Sequence, residues 1–193
     1  MRVVFGLGLA ALVLAAFVAR AEEKSAVKVG DKAPSFQATD DQGKTWKSGE
    51  HVGKKFLVLY FYPADFTGGC TKQACAFRDN GKALTDKGIE VVGISGDSAG
   101  NHEQFKKYHK LDFTLLADED GSLAKKFGVP LLSAKAGEVT VKELDNLKIK
   151  RGVTIARWTV VIDKNGKVIH KEVVKTPAED PKTVLEVIEK AGK

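Results

Sequence analysis

The chain has 193 residues, 43% hydrophobic and 29% charged, with five prolines, 19 glycines and a formal net charge of +6. That length fills one good core rather than two, and the composition excludes a disordered chain or a fibrous repeat. The 31 basic residues are scattered singly among 25 acids instead of gathering into a stripe with aromatics, which argues against nucleic acid as a partner.

The N-terminus reads as an address. Arg2 supplies a positive start, Val3 to Ala19 are uncharged and mostly apolar, and Ala19-Arg20-Ala21 matches the small-x-small pattern of signal-peptide cleavage. This predicts a signal peptide over residues 1–21 and a single domain over 22–193, hence a periplasmic or secreted protein that meets a membrane only if the segment is retained. Removing residues 1–21 takes away two arginines and no acid, lowering the net charge from +6 to +4.

Residues 36–39 and 44–48 read as short strands around the turn Asp40-Asp41-Gln42-Gly43, an N-terminal β-hairpin. The run Phe56-Leu57-Val58-Leu59-Tyr60-Phe61-Tyr62 is apolar at every position, the pattern of a strand buried on both faces, and Pro63 ends it. Residues 71–86 predict a helix, 89–95 a second buried strand, 100–110 a helix and 113–117 a strand. Residues 122–127 predict a short helix with Ser122 as its N-cap. The stretch 131–150 has no clear pattern and reads as a surface excursion. Residues 155–162 and 167–174 flank Asp163-Lys164-Asn165-Gly166, and Asn-Gly in such a gap is a strong hairpin signal. Pro177 and Pro181 open a last amphipathic helix. This order predicts an α/β fold with a mixed central sheet flanked by helices, a topology that permits a thioredoxin-like fold.

Two cysteines, Cys70 and Cys75, carry the candidate chemistry. An exported protein with one pair can hold a structural disulfide, but closing so short a loop gains little. Cys70 stands where a buried strand has ended, a glycine-containing loop has turned and a helix begins. Unpaired backbone N–H groups and the helix dipole there favour thiolate over thiol. On one ideal helix the five-residue separation places the two Cα atoms roughly 8.7 Å apart on nearly opposite faces. A disulfide tolerates at most about 7 Å, so bonding them requires the first turns to unravel. Such a pair behaves as a switch.

The segment Tyr60-Phe61-Tyr62-Pro63-Ala64-Asp65-Phe66-Thr67-Gly68-Gly69-Cys70-Thr71-Lys72-Gln73-Ala74-Cys75-Ala76-Phe77-Arg78-Asp79 resembles the active-site segment of a peroxiredoxin of the Q type, also called bacterioferritin comigratory protein, with pattern YFYPxDxTPGCTxExCxFRD. Val29-Gly30-Asp31-Lys32-Ala33-Pro34-Ser35-Phe36 and Val92-Gly93-Ile94-Ser95 match the family as well, and the likeness extends from about Lys28 to the C-terminus. The resemblance implies a thiol-dependent peroxidase. Cys70 would be the peroxidatic cysteine, oxidised to a sulfenic acid by hydrogen peroxide or an organic hydroperoxide, and Cys75 would resolve it as an intramolecular disulfide. Thr67 would donate and accept hydrogen bonds at the thiolate and peroxide, Pro63 would wall the pocket, and Arg157, on a later strand, would sit over the cysteine. It implies recycling by a thioredoxin-like reductant, no cofactor and no metal ion, and a monomer. Two departures stand out: Gly68 replaces the proline before Gly-Cys, loosening the loop, and the 131–150 excursion exceeds the usual spacing.

The four histidines, His51, His102, His109 and His170, read as solvated surface residues, and Trp46 and Trp158 as core or rim. Asp118-Glu119-Asp120-Gly121 lacks the spacing of a calcium loop. Two alternatives to the peroxidase come from other classes: an exported copper chaperone of thioredoxin fold, whose cysteines would be spaced CxxxC, and a thiol-disulfide oxidoreductase, which would ordinarily show CxxC.

Overall fold

A computed structural model describes residues 26–192; the expected signal segment lies outside the described residues. The chain runs β1 (Gln37–Asp40), β2 (Thr45–Lys47), β3 (Phe56–Phe61), α1 (Gly68–Asp79), α2 (Gly81–Asp86), β4 (Ile89–Ser95), α3 (Ala99–His109), β5 (Thr114–Ala117), α4 (Ser122–Lys126), β6 (Leu131–Ser133), β7 (Gly137–Val141), β8 (Leu147–Arg151), β9 (Thr154–Ile155), β10 (Trp158–Ile162), β11 (Val168–Val173) and α5 (Asp180–Ala191).

Seven strands form one sheet in the order β11-β10-β3-β4-β5-β1-β2. The central β3, β4 and β5 are parallel, while β10 and β11 on one side and β1 and β2 on the other run antiparallel. This is the mixed sheet and N-terminal hairpin expected, in a thioredoxin-like α/β fold. The period of two explains why β3 is apolar throughout. Val58, Tyr60 and Tyr62 pack with Phe77 of α1, Leu84 of α2 and Val184 and Ile188 of α5. Leu57, Leu59 and Phe61 face the other way, toward Phe36, Trp46, the α4 residues Leu123 and Ala124, and Phe127 just after that helix. Phe105 of α3 clusters with Ala74 and Leu115, and Phe113 packs against both this cluster and the first face.

Several boundaries differ from expectation for local reasons. The helix predicted over 71–86 is two helices, because Asn80 leaves helical geometry (φ −96°, ψ 5°) and Gly81 restarts the chain close against Asp112. Ser122 does not cap α4; Gly121, at φ +70°, occupies that position. The Asp118 carboxylate instead accepts the Leu123 and Ala124 N–H groups at 2.9 and 2.8 Å, giving the acids once compared with a calcium loop a capping role. The 131–150 excursion has structure: β7 and β8 form a hairpin pairing Gly137 with Arg151 and Val141 with Leu147, and β6 pairs with β9. The strand predicted over 155–162 is interrupted at Ala156 and Arg157, between β9 and β10.

Candidate active site

The site lies where β3 leaves the sheet. Pro63, half-buried, prevents further strand pairing, and five residues later α1 begins with Thr67 at its N-cap position in extended geometry (φ −91°, ψ 144°). Cys70 occupies the first turn of α1 and is 1% exposed. The first N–H groups of the helix lack intrahelical partners, and its positive end lies beside this residue.

Arg157 comes to it from 87 residues away. Its Nη2 donates to Cys70 Sγ at 3.1 Å and its Nη1 to Gln73 Oε1 at 2.5 Å. Gln73 is fully buried one helical turn after Cys70, and its Nε2 donates to Asp180 Oδ2 at 2.7 Å; Thr159 Oγ1 donates to the same oxygen at 2.7 Å. Burial pushes the Asp180 carboxyl upward, against the hydrogen bonds from Thr159 and Gln73 that hold it down. The guanidinium is thus fixed by a relay running from β10 and α5 through Gln73 to the sulfur. A Cβ on Gly69 would stand 3.2 Å from Arg157 Nη2, so glycine at that position leaves room for the approach.

Thr67 is held differently from expectation. Its hydroxyl donates to the Ala64 carbonyl at 2.9 Å, committing its proton to the loop and leaving Oγ1 as an acceptor. Cys75 lies on the same uninterrupted helix as Cys70, partly exposed, and both thiols are free. Its neighbour Arg78, one turn on, donates to Asp79 and to the His109 carbonyl, clamping the end of α1 to the end of α3.

The structure therefore brings Cys70 and Arg157 into contact and places Pro63, Thr67 and Cys75 on the same loop and helix. Sequence reasoning passed over Gln73 and Asp180. Gln73 stands where the pattern quoted above has glutamate, and that single difference was the available signal; Asp180 gave none, being 107 residues from its partner. The expectation that His102 is solvated is wrong: it is fully buried, with His102 and Phe105 forming the inward edge of a polar helix. His51 is half-buried too, stacked on Trp46 and 2.7 Å from Glu90.

The sequence of this thioredoxin-like chain matches the AhpC/TSA family over residues 29–171, and the chain belongs to it. Within it the chain is similar to the Q-type proteins. It is 44% identical over 142 residues to the chloroplastic peroxiredoxin Q of Oryza sativa subsp. japonica, a match covering 74% of this chain and 57% of that one. It is 38% identical over 143 residues to peroxiredoxin Bcp of Bacillus subtilis (strain 168), covering 74% and 83%. The crystal structure of peroxidoxin BcpB from Mycobacterium tuberculosis superposes with a TM-score of 0.69 at 29% identity, covering 84% of this chain and 96% of that one. The chain spans only a little over half the length of the rice relative.

These relatives also correct one expectation. The plant proteins are named as chloroplastic, not as periplasmic or secreted, and the localisation drawn from residues 1–21 does not stand. An apolar N-terminal stretch reports hydrophobicity, whereas the compartment is set by the receptor that reads it.

Proposed function

We propose that the chain is a thiol-dependent peroxidase of the atypical two-cysteine kind. The observation that carries the reading is Arg157 Nη2 at 3.1 Å from a buried Cys70 Sγ on the first turn of α1. The Cys70 thiolate attacks the terminal oxygen of hydrogen peroxide or an organic hydroperoxide; the S–O bond forms, the O–O bond breaks, and water or an alcohol leaves after protonation. Negative charge moves from sulfur to the leaving oxygen during that step. A fixed donor already aimed there, Arg157, stabilises it without reorganising, the positive end of α1 acts in the same direction, and burial strengthens both. Pro63 shields the pocket from water, and Thr67 Oγ1 accepts a hydrogen bond from the peroxide.

Cys75 then attacks the sulfenic sulfur, forming the disulfide and releasing water. Both cysteines lie on α1, so this bond requires the helix to open around them, and a monomer suffices. A thioredoxin-like dithiol restores the thiols by exchange and becomes a disulfide itself. The copper-chaperone alternative fits less well: among the described residues no three ligating side chains gather, and His102 commits both ring nitrogens elsewhere.

The test is stopped-flow tryptophan fluorescence of the reduced chain mixed with one equivalent of hydrogen peroxide, followed by thiol counting. The wild type is expected to lose both thiols per peroxide. Cys70→Ser should abolish turnover, and Cys75→Ser should complete one oxidation and stall; equal loss of the first oxidation in both variants would refute the assignment.

A further inference from the structure

Behind the loop that carries Thr67 lies a group of ionisable side chains that the mechanism above does not use. Tyr62, Asp65, Asp97 and His102 are all fully buried. They come from the end of β3, the active-site loop, the β4–α3 connection and α3. His102 Nε2 lies 3.1 Å from the Leu116 carbonyl oxygen, which can only accept, so that nitrogen carries a proton. Its Nδ1 faces Asp65 Oδ2 at 2.8 Å and donates to the carboxylate. The ring is thus a donor at both ends, an imidazolium paired with Asp65. Burial opposes that charge, but the charge of Asp65 and its hydrogen bond outweigh it and raise the His102 pKa.

Asp65 is fixed at three points. Tyr62 Oη donates to Oδ1 at 2.7 Å, His102 donates to Oδ2, and the Asp65 N–H donates to Asp97 Oδ2 at 2.9 Å, an oxygen also held by the Ser95 hydroxyl at 2.8 Å. On one side of Asp65 is Ala64, whose carbonyl receives the Thr67 hydroxyl. On the other is Phe66, a non-glycine residue at φ 57°, in the left-handed region that its side chain disfavours. A strained turn persists only where its surroundings over-determine it, and here they do so through a buried ion pair.

We infer that Asp65 and His102 are positioning residues for the reaction at Cys70: their buried ion pair holds residues 64–67 in the turn that aims Thr67, while neither touches the reacting atoms. The inference rests on the peroxidase reading. It assigns to this pair the geometry of the peroxide pocket, and to Arg157 and the helix start the state of the sulfur.

Those two roles separate experimentally. In the full chain, His102→Gln and Asp65→Asn are compared with wild type for the rate of Cys70 oxidation by hydrogen peroxide and the rate of alkylation by iodoacetamide, an electrophile needing only a thiolate. Far-UV circular dichroism monitors the fold. Misplacement by about 1 Å can cost on the order of 100-fold, so a peroxide rate at least about 10-fold lower is expected, with alkylation within about twofold of wild type. Equal slowing of both reactions, or an unchanged peroxide rate, would overturn the inference. If either variant fails to fold, Tyr62→Phe removes one bond to Asp65 and a longer 3.4 Å contact to His102 Nδ1, and should still give a peroxide-selective loss; its absence counts equally against the idea. A wild-type chain inert to peroxide but readily alkylated would overturn the peroxidase reading and this inference together, whereas a reactive wild type with unaffected variants would overturn the inference alone.

Discussion

The guanidinium of Arg157 contacts two acceptors at once, Cys70 Sγ and Gln73 Oε1, and this fork is what distinguishes it from a simple positive charge. Arg157→Ala should slow the first oxidation by about 10²-fold, the usual cost of removing one preorganised donor. Arg157→Lys should restore only part of the rate, because one ammonium cannot bridge sulfur and amide in the same geometry. Stopped-flow rates for the three proteins decide this, and an Arg157→Ala rate equal to wild type would remove the residue from the site. Cys70 was legible in the sequence through a motif, and Arg157 through the family resemblance. Gln73 and Asp180, which aim the guanidinium, were not, since their role exists only after α5 has packed beside α1.

Helix α1 offers a prediction of its own. Gly68 is its first residue, where an N–H lacks an intrahelical partner in any case, and a Cβ built there meets nothing within 4 Å. The preceding Thr67 already has the extended geometry that a following proline requires. Gly68→Pro should therefore be accommodated and should stabilise the chain by about 0.4–1 kcal/mol through loss of unfolded-state entropy. Urea denaturation checks this, and a lower midpoint would show that the loop needs the glycine. Other element boundaries were harder to read. The sequence over 71–86 supports helix on both sides of Asn80, and the break depends on Gly81 meeting Asp112, 31 positions away. The hairpin of β7 and β8 carries much of its apolar side-chain burial at Val141 and Ile149, too sparse a pattern to announce two strands.

Across the whole molecule, buried carboxylates tie stability to pH. Burial, reinforced by the charge of Asp65, pushes Asp97 from its ordinary 3.8 up to about 6. Between those values the folded chain holds a proton that the unfolded chain releases, so stability falls as pH rises across this window. His102 acts in the same direction at higher pH: its pKa is raised in the fold, and the stability it confers is lost as pH climbs through that raised value. Relative to Asp97→Asn, the wild type should lose about 2–3 kcal/mol between pH 4 and pH 6. Urea midpoints of both proteins across that range test it, and a constant difference would exclude Asp97 as the titrating group.

The amino-acid sequence alone determined the features governed by near neighbours. The fully apolar β3 declared a strand covered on both faces, Asn165-Gly166 declared a hairpin turn, and the passage from Pro63 to Cys70 declared a cysteine at a helix start. Only the tertiary structure decided which distant groups share a low-dielectric interior. Helix α3 is polar enough to read as solvated, yet packing takes water from His102 and leaves Asp65 as its counter-charge. Desolvation depends on what the rest of the chain covers, and no local pattern carries that information.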